Sequence, residues 1–352
     1  MRWYAFLLYP FALVYDLVTS LRNFFFEIGL LNMKKSAIPS IVVGNLSVGG
    51  TGKTPMIEFL IRLLIQNYQI ATLSRGYGRN TKGFLRADIS SKPNDIGDEP
   101  YQIFTKFDSK VSVFVGEDRV AAAHCISQQA PDSAILLLDD AFQHRYFKSN
   151  LSILLTTYSK PFVDDYLLPV GRLRESRKGA SRADVVLVTK SPIHLESEKK
   201  ADLVKKIRKV VGNDTPVLFS SIIYGKPYGL NPDFDFSNEV ILFSGLANNQ
   251  SLRNFVLSNY NLQNSFSFPD HYSYNSKDFE DLRESFKSAS SKKVVLLTTE
   301  KDAGKVKSSA PEGFLAEIPI FVLPIEVAMV KEDLVILEKL IQFKVLNKGR
   351  NQ

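Results

Sequence analysis

The sequence has very little cysteine and no low-complexity segment. Its 352 residues include one cysteine, Cys125, which has no partner in the chain for a disulfide and therefore indicates a reducing compartment. No RNP-like, zinc-finger or basic-zipper pattern is present, so the net charge of +7 favours anionic partners other than nucleic acid, such as phospholipid or a phosphorylated substrate. Hydrophobic and charged shares of 45% and 23% predict an ordinary folded chain.

The N-terminal segment is rich in aromatic residues and leucine but lacks an uninterrupted apolar run of the ~20 residues that a membrane span needs. Its apolar residues recur every three or four positions, at Phe11, Val14, Val18, Leu21, Phe25 and Ile28. Polar residues recur on the opposite face, at Asp16, Ser20, Asn23 and Glu27. This spacing predicts an amphipathic helix. Pro10 and Asp16 inside the apolar stretch, together with the lack of a small-residue cleavage site, argue against a signal peptide.

Two features favour a membrane surface over a protein core as the environment of this helix. Aromatic residues crowd one end, as interfacial anchors do, namely Trp3, Tyr4, Tyr9 and Tyr15. Lys34 and Lys35 follow the helix, where anionic headgroups would meet them. We therefore expect residues 1–35 to form a helix that lies in the membrane plane, with an ordinary core helix as the alternative.

A glycine-rich loop follows the first predicted strand. The strand-like run Ile38–Val43 leads into Gly44-Asn-Leu-Ser-Val-Gly-Gly-Thr-Gly-Lys-Thr-Pro55, after which a helical stripe begins. Strand, loop and helix in this order are typical of a phosphate-binding loop, in which Lys53 reaches the β- and γ-phosphates and Thr54 offers a hydroxyl to Mg²⁺. Ser47 stands where the usual motif has its first glycine. The predicted nucleotide-binding residues are Ser47, Val48, Gly49, Gly50, Thr51, Gly52, Lys53 and Thr54.

A second acidic element follows a buried strand pattern over residues 134–138. That strand ends in Asp139 and Asp140, which is typical of the Walker B element that holds Mg²⁺ directly or through water. A strand capped by two solvated aspartates is the alternative, and the sequence does not decide which of the two carboxylates binds the metal. Gln143 and His144 follow closely enough to face the same pocket.

One segment bears on the choice of nucleotide base. Val185–Lys190 resembles the start of the Asn-Lys-x-Asp motif that reads guanine, but Pro192 stands where the aspartate belongs. We therefore expect ATP rather than GTP.

Seven short segments, taken in order, resemble the tetraacyldisaccharide 4'-kinase family of lipid A biosynthesis. No single segment is specific, but their order and joint presence are. They extend over most of the chain: Gly44–Pro55, Ser74–Arg79, Gly97–Pro100, Asp139-Asp140 with Gln143-His144, Pro169–Glu175, Asp270–Tyr272 and Thr299–Asp302. Val170 departs from the family pattern, in which a small residue such as alanine is expected.

The resemblance implies a kinase that uses ATP and Mg²⁺ to phosphorylate the 4'-hydroxyl of a tetraacylated glucosamine disaccharide 1-phosphate, a lipid A precursor. It also implies a peripheral protein on the cytoplasmic face of the inner membrane of Gram-negative bacteria. The expected partners are that lipid and the membrane surface, with no nucleic acid and no obligate protein partner.

The resemblance also implies catalytic roles. Asp98 matches the carboxylate that faces the acceptor hydroxyl, and His271 is the partner that helps to carry the proton, because an ordinary carboxylate is a weak base for a sugar alcohol. Without the family pattern, Asp98 would be interpreted as a helix cap and His271 as a surface histidine. Lys53 and Arg174 are expected to contact the phosphates or the transition state, and Glu175 is expected to bind Mg²⁺.

The remaining candidates are assigned to the substrate. Arg75 and Arg79 lie in a glycine-rich loop after a second strand, where either is available to a phosphate. Gln143 and His144 are expected in the same pocket. The basic run around Arg174 is equally suited to the anionic membrane, the 1-phosphate of the substrate, or solvent.

The order of elements predicts an α/β fold. Strand and helix patterns alternate from Ile38 to about Val211, which indicates a mostly parallel, P-loop NTPase-like sheet with helices on both faces. A fresh series after Pro216 indicates a second, smaller α/β domain. The expected parts are an N-terminal amphipathic helix (1–35), a kinase core (36–214), the smaller domain (215–310), and a return to the core with a C-terminal helix and tail (311–352).

Two other functions remain open. A membrane-associated P-loop ATPase could act as a switch, as in the partitioning and metal-insertion families, which often carry a lysine where this chain has Val48. A non-catalytic membrane adaptor would leave Lys53, Thr54 and Asp139 together without a purpose.

Overall fold

The computed structural model describes residues 5–129, 134–246, 248–270, 272–289, 291 and 293–347. The α-helices of this part of the chain are α1 (Ala5–Glu27), α2 (Lys53–Leu64), α3 (Pro93–Ile96), α4 (Asp98–Phe107), α5 (Arg119–Gln129), α6 (Ser197–Val211), α7 (Gln250–Asn259), α8 (Ser276–Ser288), α9 (Glu300–Ser309), α10 (Phe314–Glu317) and α11 (Lys331–Ile341). The strands are β1 (Lys34–Lys35), β2 (Ser40–Asn45), β3 (Gln69–Ser74), β4 (Leu85–Arg86), β5 (Val111–Val115), β6 (Ala134–Asp139), β7 (Phe147–Lys148), β8 (Leu151–Thr157), β9 (Val185–Thr189), β10 (Val217–Tyr224), β11 (Tyr228–Gly229), β12 (Glu239–Ser244), β13 (Asn261–Ser267), β14 (Val295–Thr299), β15 (Ile320–Leu323) and β16 (Ile325–Met329).

A large sheet forms the centre of the first unit. Within the described residues its strand order is β16-β10-β9-β8-β2-β6-β3-β5-β4, and all neighbours are parallel except the antiparallel edge strands β16 and β4. Strands β2, β6 and β9 are buried along their whole length. They are buried because helices cover both faces, α2, α4 and α11 on one side and α5 and α6 on the other.

A smaller sheet forms the second unit. Its order is β11-β15-β14-β12-β13, and only the β11–β15 pair is antiparallel among the pairs described. Helices α8, α9 and α10 pack on one face, around Phe279, Val306 and Phe314, and α7 packs on the other. The structure therefore confirms the predicted α/β class, with a mostly parallel sheet, a second α/β unit and an N-terminal helix.

The limits of the second unit differ from those expected. Strand β10 lies in the large sheet, where Val217 pairs with Val186, and β15 lies in the small sheet, where Ile320 pairs with Leu296. The small unit therefore extends from β11 to β15 rather than from 215 to 310. A short apolar run predicts a buried strand but carries no information about the sheet to which that strand belongs.

Helix α1 presents its predicted apolar stripe to the outside. Phe11, Val14 and Val18 are 66%, 63% and 62% exposed, whereas Ala12 and Phe26, on the side toward the protein body, are buried. A core helix would bury the stripe that this helix exposes. Within the described residues, none of the helices combines the length and the apolar character needed to cross a membrane.

Candidate active site

The phosphate-binding loop joins β2 to α2 in the middle of the large sheet. Strand β2 ends at Asn45 and helix α2 begins at Lys53, so the loop carries its lysine at the first helical residue. Gly49 and Gly52 have φ angles of 106° and 87°, a left-handed conformation that other residues rarely adopt. The chain therefore turns sharply into a helix N-terminus, whose free N–H groups and dipole favour a phosphate.

The end of β9 holds one flank of this loop. The hydroxyl of Thr189 donates a hydrogen bond to the carbonyl oxygen of Thr51 at 2.7 Å. The ammonium of Lys190 donates to the carbonyl oxygen of Gly50 at 2.8 Å. Both bonds are donated to backbone carbonyls of the loop, so the end of β9 supports the shape of the loop.

The segment that carries Arg174 holds the other flank. The backbone N–H of Val48 donates to the carbonyl of Arg172 at 2.8 Å, and that of Arg174 donates to the carbonyl of Leu46 at 2.7 Å. The guanidinium of Arg174 also donates to the side-chain and backbone oxygens of Asn45. The predicted catalytic arginine is therefore fixed at the base of the loop.

Asp140 links this arginine to the loop lysine. Strand β6 lies beside β2, with Asp139 paired to Val43, which brings the end of β6 to the loop. Asp140 follows with a φ of 49°, and its carboxylate accepts hydrogen bonds from Arg174 at 2.7 and 3.1 Å and lies 3.8 Å from Nζ of Lys53. Burial acts to raise the pKa of Asp140, but the two neighbouring cations outweigh it and lower that pKa, so the carboxylate stays charged.

Asp139 is the buried member of the pair. No described residue donates a hydrogen bond to its Oδ1. Burial raises the pKa of Asp139 to about 7, with Lys53 opposing the shift and Asp140 and Glu99 adding to it. A buried carboxylate oxygen without a donor suits a divalent cation, whose charge would keep the group ionised. Asp139 and Thr54, in the first turn of α2, therefore fit the Mg²⁺ that the family implies.

Glu175, which was predicted to bind Mg²⁺, accepts hydrogen bonds from protein donors. It is 2% exposed, and its oxygens accept from Arg182 at 2.8 Å, Asn23 at 3.0 Å and Gln143 at 3.2 Å. In the described part of the chain, no three or more His, Cys, Asp or Glu side chains form a metal-binding group. Mg²⁺ commonly takes one or two carboxylates, with phosphates and water completing its shell. A metal role for Glu175 stays a prediction.

Arg119 is a further buried cation at this site, only 5% exposed. It donates to the carbonyl of Glu117 at 2.8 Å. Burial and then the charge of Arg75 lower the pKa of Arg119, whereas Asp140 and Asp139 oppose that shift, which places all four charges close together. A lone arginine at the start of a helix belongs to no motif, so sequence reasoning missed it.

The predicted substrate residues differ in their surroundings. Arg75 is exposed at the start of the loop that follows β3, whereas Arg79 donates to Glu117 and to the carbonyl of Gly83, both at 2.6 Å, and so supports its own loop. Burial, and then the charge of Arg119, lowers the pKa of His144, which favours the neutral imidazole. Contact of these residues with a substrate stays a prediction.

Asp98 is the first residue of α4 and faces the cleft between α4 and α9. Gly97 precedes it with a φ of 96°, and a side chain there would collide with the backbone of the loop that follows β3. The next residue, Glu99, is close enough to act on Asp139 through its charge. The carboxylate of Asp98 lies 2.9 Å from Nζ of Lys305, which belongs to α9 of the second unit. Sequence reasoning gave no signal for this lysine.

His271, the proposed partner of Asp98, lies outside the described residues. Its neighbours in the chain are described: Asp270 lies 2.6 Å from Nζ of Lys301, and the hydroxyl of Tyr272 donates to Asp278 at 3.3 Å. The proton-carrying role of His271 therefore stays a prediction.

A glycine-rich loop at a helix N-terminus, a lysine on that loop and a buried carboxylate on the adjacent strand define a P-loop nucleotide-binding protein. The sequence model of the tetraacyldisaccharide-1-P 4'-kinase family matches residues 4–342. This chain therefore belongs to the tetraacyldisaccharide-1-P 4'-kinase family.

Individual relatives agree with this membership. The tetraacyldisaccharide 4'-kinase of Flavobacterium johnsoniae is 41% identical over 89% of this chain and 91% of its own length. That of Cytophaga hutchinsonii is 39% identical over 85% of each chain. The crystal structure of LpxK from Aquifex aeolicus in complex with ATP superposes with a TM-score of 0.74 at 30% identity, and covers 97% of this chain and 99% of that one. The predicted family and the kinase class are confirmed, and the ATP in the structure of the Aquifex aeolicus relative agrees with the predicted nucleotide.

Proposed function

We propose that this protein transfers the γ-phosphate of ATP to the 4'-hydroxyl of a tetraacylated glucosamine disaccharide 1-phosphate, a lipid A precursor. The names of the relatives support this acceptor, since the similarity extends over nearly the whole chain. The observation that carries the proposal is that Lys53, Asp139 and Arg174 all lie at the phosphate-binding loop. Phosphoryl transfer requires such an arrangement, because it depends on positioning and charge neutralisation.

In the proposed reaction a bond forms between the 4'-oxygen and the γ-phosphorus. The bond from that phosphorus to the β,γ-bridging oxygen breaks, and ADP leaves. The hydroxyl proton passes to the carboxylate of Asp98, with His271 as the partner that carries it onward. Lys53 and Arg174 stabilise the charge on the transferring phosphoryl group.

The two adjacent aspartates have different tasks in this proposal. Asp139 and Thr54 would hold Mg²⁺, which would neutralise charge on the β- and γ-phosphates. Asp140 instead orients the guanidinium of Arg174 and the ammonium of Lys53, to which it is already paired.

The proposal places the protein on the cytoplasmic face of the inner membrane, with the apolar side of α1 in the lipid surface. The opposite side of that helix contacts the active site: the hydroxyl of Tyr15 donates to the carbonyl of Arg174 at 2.8 Å, and Arg22 donates to the carbonyl of Gln143 at 2.9 Å. A substrate could therefore keep its acyl chains in the bilayer while its sugar reaches the phosphate site. The exposed strand Lys34–Lys35 adds positive charge beside this surface.

A direct assay separates this proposal from an ATPase switch. The purified protein is incubated in detergent with Mg²⁺, ATP and the disaccharide 1-phosphate, and both ADP and the lipid product are measured. ADP release that depends on the acceptor, together with a product phosphorylated at the 4'-position, is expected. ADP release without acceptor and without a phosphorylated lipid would support the switch instead.

The role of Asp98 is tested by Asp98→Asn, which keeps the size of the side chain. We expect turnover to fall by roughly 10²- to 10⁴-fold, because the proton acceptor is lost, while ATP binding stays near that of the wild type. A fluorescent ATP analogue measures the binding separately. Full turnover in the variant would show that Asp98 is not the base, and greatly weakened ATP binding would assign it to the nucleotide site.

A further inference from the structure

We infer that Lys301 and Lys305, one helical turn apart on α9, are positioning residues for the proposed proton transfer: Lys305 fixes the carboxylate of Asp98, and Lys301 fixes Asp270, the residue that precedes His271 in the chain. The inference rests on the function proposed above, in which Asp98 and His271 handle the proton of the acceptor hydroxyl. It concerns two side chains that lie outside the phosphate-binding loop and outside the aspartate pair at the end of β6.

Lys305 is a buried cation in contact with the proposed base. It is 7% exposed, and its Nζ lies 2.9 Å from Oδ2 of Asp98. A buried ammonium is costly unless a carboxylate compensates its charge, so this pair constrains the position of both groups. Asp98 comes from the first unit and Lys305 from the second, and the contact therefore fixes the base relative to α9.

Lys301 makes a similar contact with Asp270. Its Nζ lies 2.6 Å from Oδ1 of Asp270, the residue immediately before His271. Lys301 and Lys305 are four residues apart on one helix, so they lie on the same face with an axial separation of about 6 Å. One face of α9 thus contacts both Asp98 and Asp270 within a single turn.

Helix α9 is itself firmly attached on both sides. Asp302 is fully buried at its start, where it accepts hydrogen bonds from the hydroxyl of Thr299 at 2.7 Å and from the backbone N–H of Gly245 at 3.1 Å. On the other side, a Cβ on Gly304 would lie 2.9 Å from the ring of Tyr101 on α4, so only glycine permits this close approach. A helix held in this way can act as a rigid support for the two lysines.

Other charged or titratable groups face the same cleft between α4 and α9, and they limit how a pH effect is interpreted. They are Tyr101 and Lys106 on α4, Glu300 and Lys307 on α9, and Tyr228 on β11. Lys106 and Glu300 pair with each other at 2.5 Å, and burial raises the pKa of Tyr228 to about 12. None of these five groups is altered in the Lys301 and Lys305 variants, so a changed pH profile reports on the lysine–carboxylate contacts.

The test compares Lys305→Met and Lys305→Arg with the wild type, with Lys287→Met, at an exposed lysine in the last turn of α8, as the matched control. Lys305→Met is expected to lower kcat roughly 10- to 100-fold, as a misplaced catalytic group does, while the KM for ATP stays within about twofold. The acid limb of the pH–rate profile should move to higher pH, because a carboxyl group that has lost a neighbouring cation keeps its proton to higher pH. Lys305→Arg should restore the profile in part, and Lys301→Met should also lower kcat.

A double-variant cycle shows whether Lys305 acts through Asp98. If it does, Asp98→Asn with Lys305→Met should be no slower than Asp98→Asn alone. The double variant also replaces the buried ion pair by two neutral groups, which keeps the test valid if Lys305→Met does not fold. The inference would be overturned if kcat of the double variant fell by the product of the two single-variant decreases. It would also be overturned if Lys305→Met folded and kept the wild-type kcat and pH profile. Full activity of Asp98→Asn would instead remove Asp98 as the base, which is a separate outcome.

Discussion

At the residue scale, two consecutive aspartates differ because the backbone turns between them. Asp139 is the last residue of β6 and is buried, whereas Asp140 has a left-handed φ of 49° that directs it toward Arg174 and Lys53. The first carboxylate therefore keeps an oxygen that no described residue contacts through a hydrogen bond, and the second is neutralised by protein cations. Local geometry therefore gives the two carboxylates different surroundings, which agree with the two tasks proposed for them.

This difference predicts that the two asparagine variants change different kinetic quantities. Asp139→Asn should raise the Mg²⁺ concentration needed for half-maximal rate at least roughly tenfold, because it removes a charged ligand. Asp140→Asn should lower kcat with little change in that Mg²⁺ requirement, because it releases Arg174 and Lys53. Titration of the rate with Mg²⁺ at saturating ATP measures both, and the reverse pattern would exchange the two roles.

At the scale of elements, one face of α1 contacts the rest of the protein and the other face is exposed. Its polar side is tied to the active-site loop through Tyr15 and Asn23, which contact Arg174 and Glu175. Its apolar side, with Leu17 at 68% exposed, has no cover from the described residues. An exposed apolar stripe on a helix that contacts Arg174 and Glu175 favours a role in contacting lipid.

A single substitution on that stripe tests this role. Leu17→Asn should weaken binding to vesicles made from anionic and zwitterionic phospholipids roughly tenfold, because burying a leucine contributes about 1.5–3 kcal/mol. Ser20→Asn, at a neighbouring exposed position that is already polar, is the matched control and should bind as the wild type does. Co-sedimentation with the vesicles measures both. Equal binding of the Leu17 variant and the wild type would contradict a lipid-facing α1.

At the scale of the whole molecule, a buried ion cluster joins the two units behind the phosphate site. Lys106 on α4 lies 2.7 Å from Glu58 on α2 and 2.5 Å from Glu300 on α9. Glu58 and Glu300 have only 1% and 6% of their side-chain surface exposed. Lys106 thus compensates part of the charge of two buried carboxylates. One is on α2, which follows the phosphate-binding loop, and the other is on α9, which carries Lys301 and Lys305.

Lys106→Met should lower the free energy of unfolding by about 3 kcal/mol, since Glu300 loses the lysine paired with it and Glu58 keeps only Arg62, whose guanidinium lies 3.7 Å away. Lys110→Met, in the exposed turn after α4, is the control and should have little effect. Urea titration followed by circular dichroism measures the difference. A stability equal to that of the wild type would show that the cluster is not important for the joint.

The pH dependence of that loss has a definite sign. Burial, and then the charge of Glu58, raises the pKa of Glu300 above its ordinary 4.5, with Lys106 opposing the shift. A group whose pKa is raised by folding contributes stability that is fully present below 4.5 and is lost as the pH rises through the folded value. Removing Lys106 raises that value further, so the deficit of the variant should grow from acidic to mildly alkaline pH.

The sequence by itself determined the parts whose chemistry is local. The phosphate-binding loop, the strand that ends in Asp139 and the amphipathic pattern of α1 each follow from residues within one or two elements, because the order of strand, loop and helix constrains the backbone that they form. The family, the kinase class and the α/β fold were predicted correctly from these segments and their order.

Only the tertiary structure decided which distant residues meet. The assignment of β10 and β15 to their sheets, the burial of Arg119 and the contact of Lys305 with Asp98 join parts of the chain that are far apart in sequence. Such contacts leave no periodic pattern, since a buried cation is stabilised by whatever carboxylate the fold brings to it. Local pattern therefore predicts the loop that binds phosphate, and long-range packing decides how the groups around it are held.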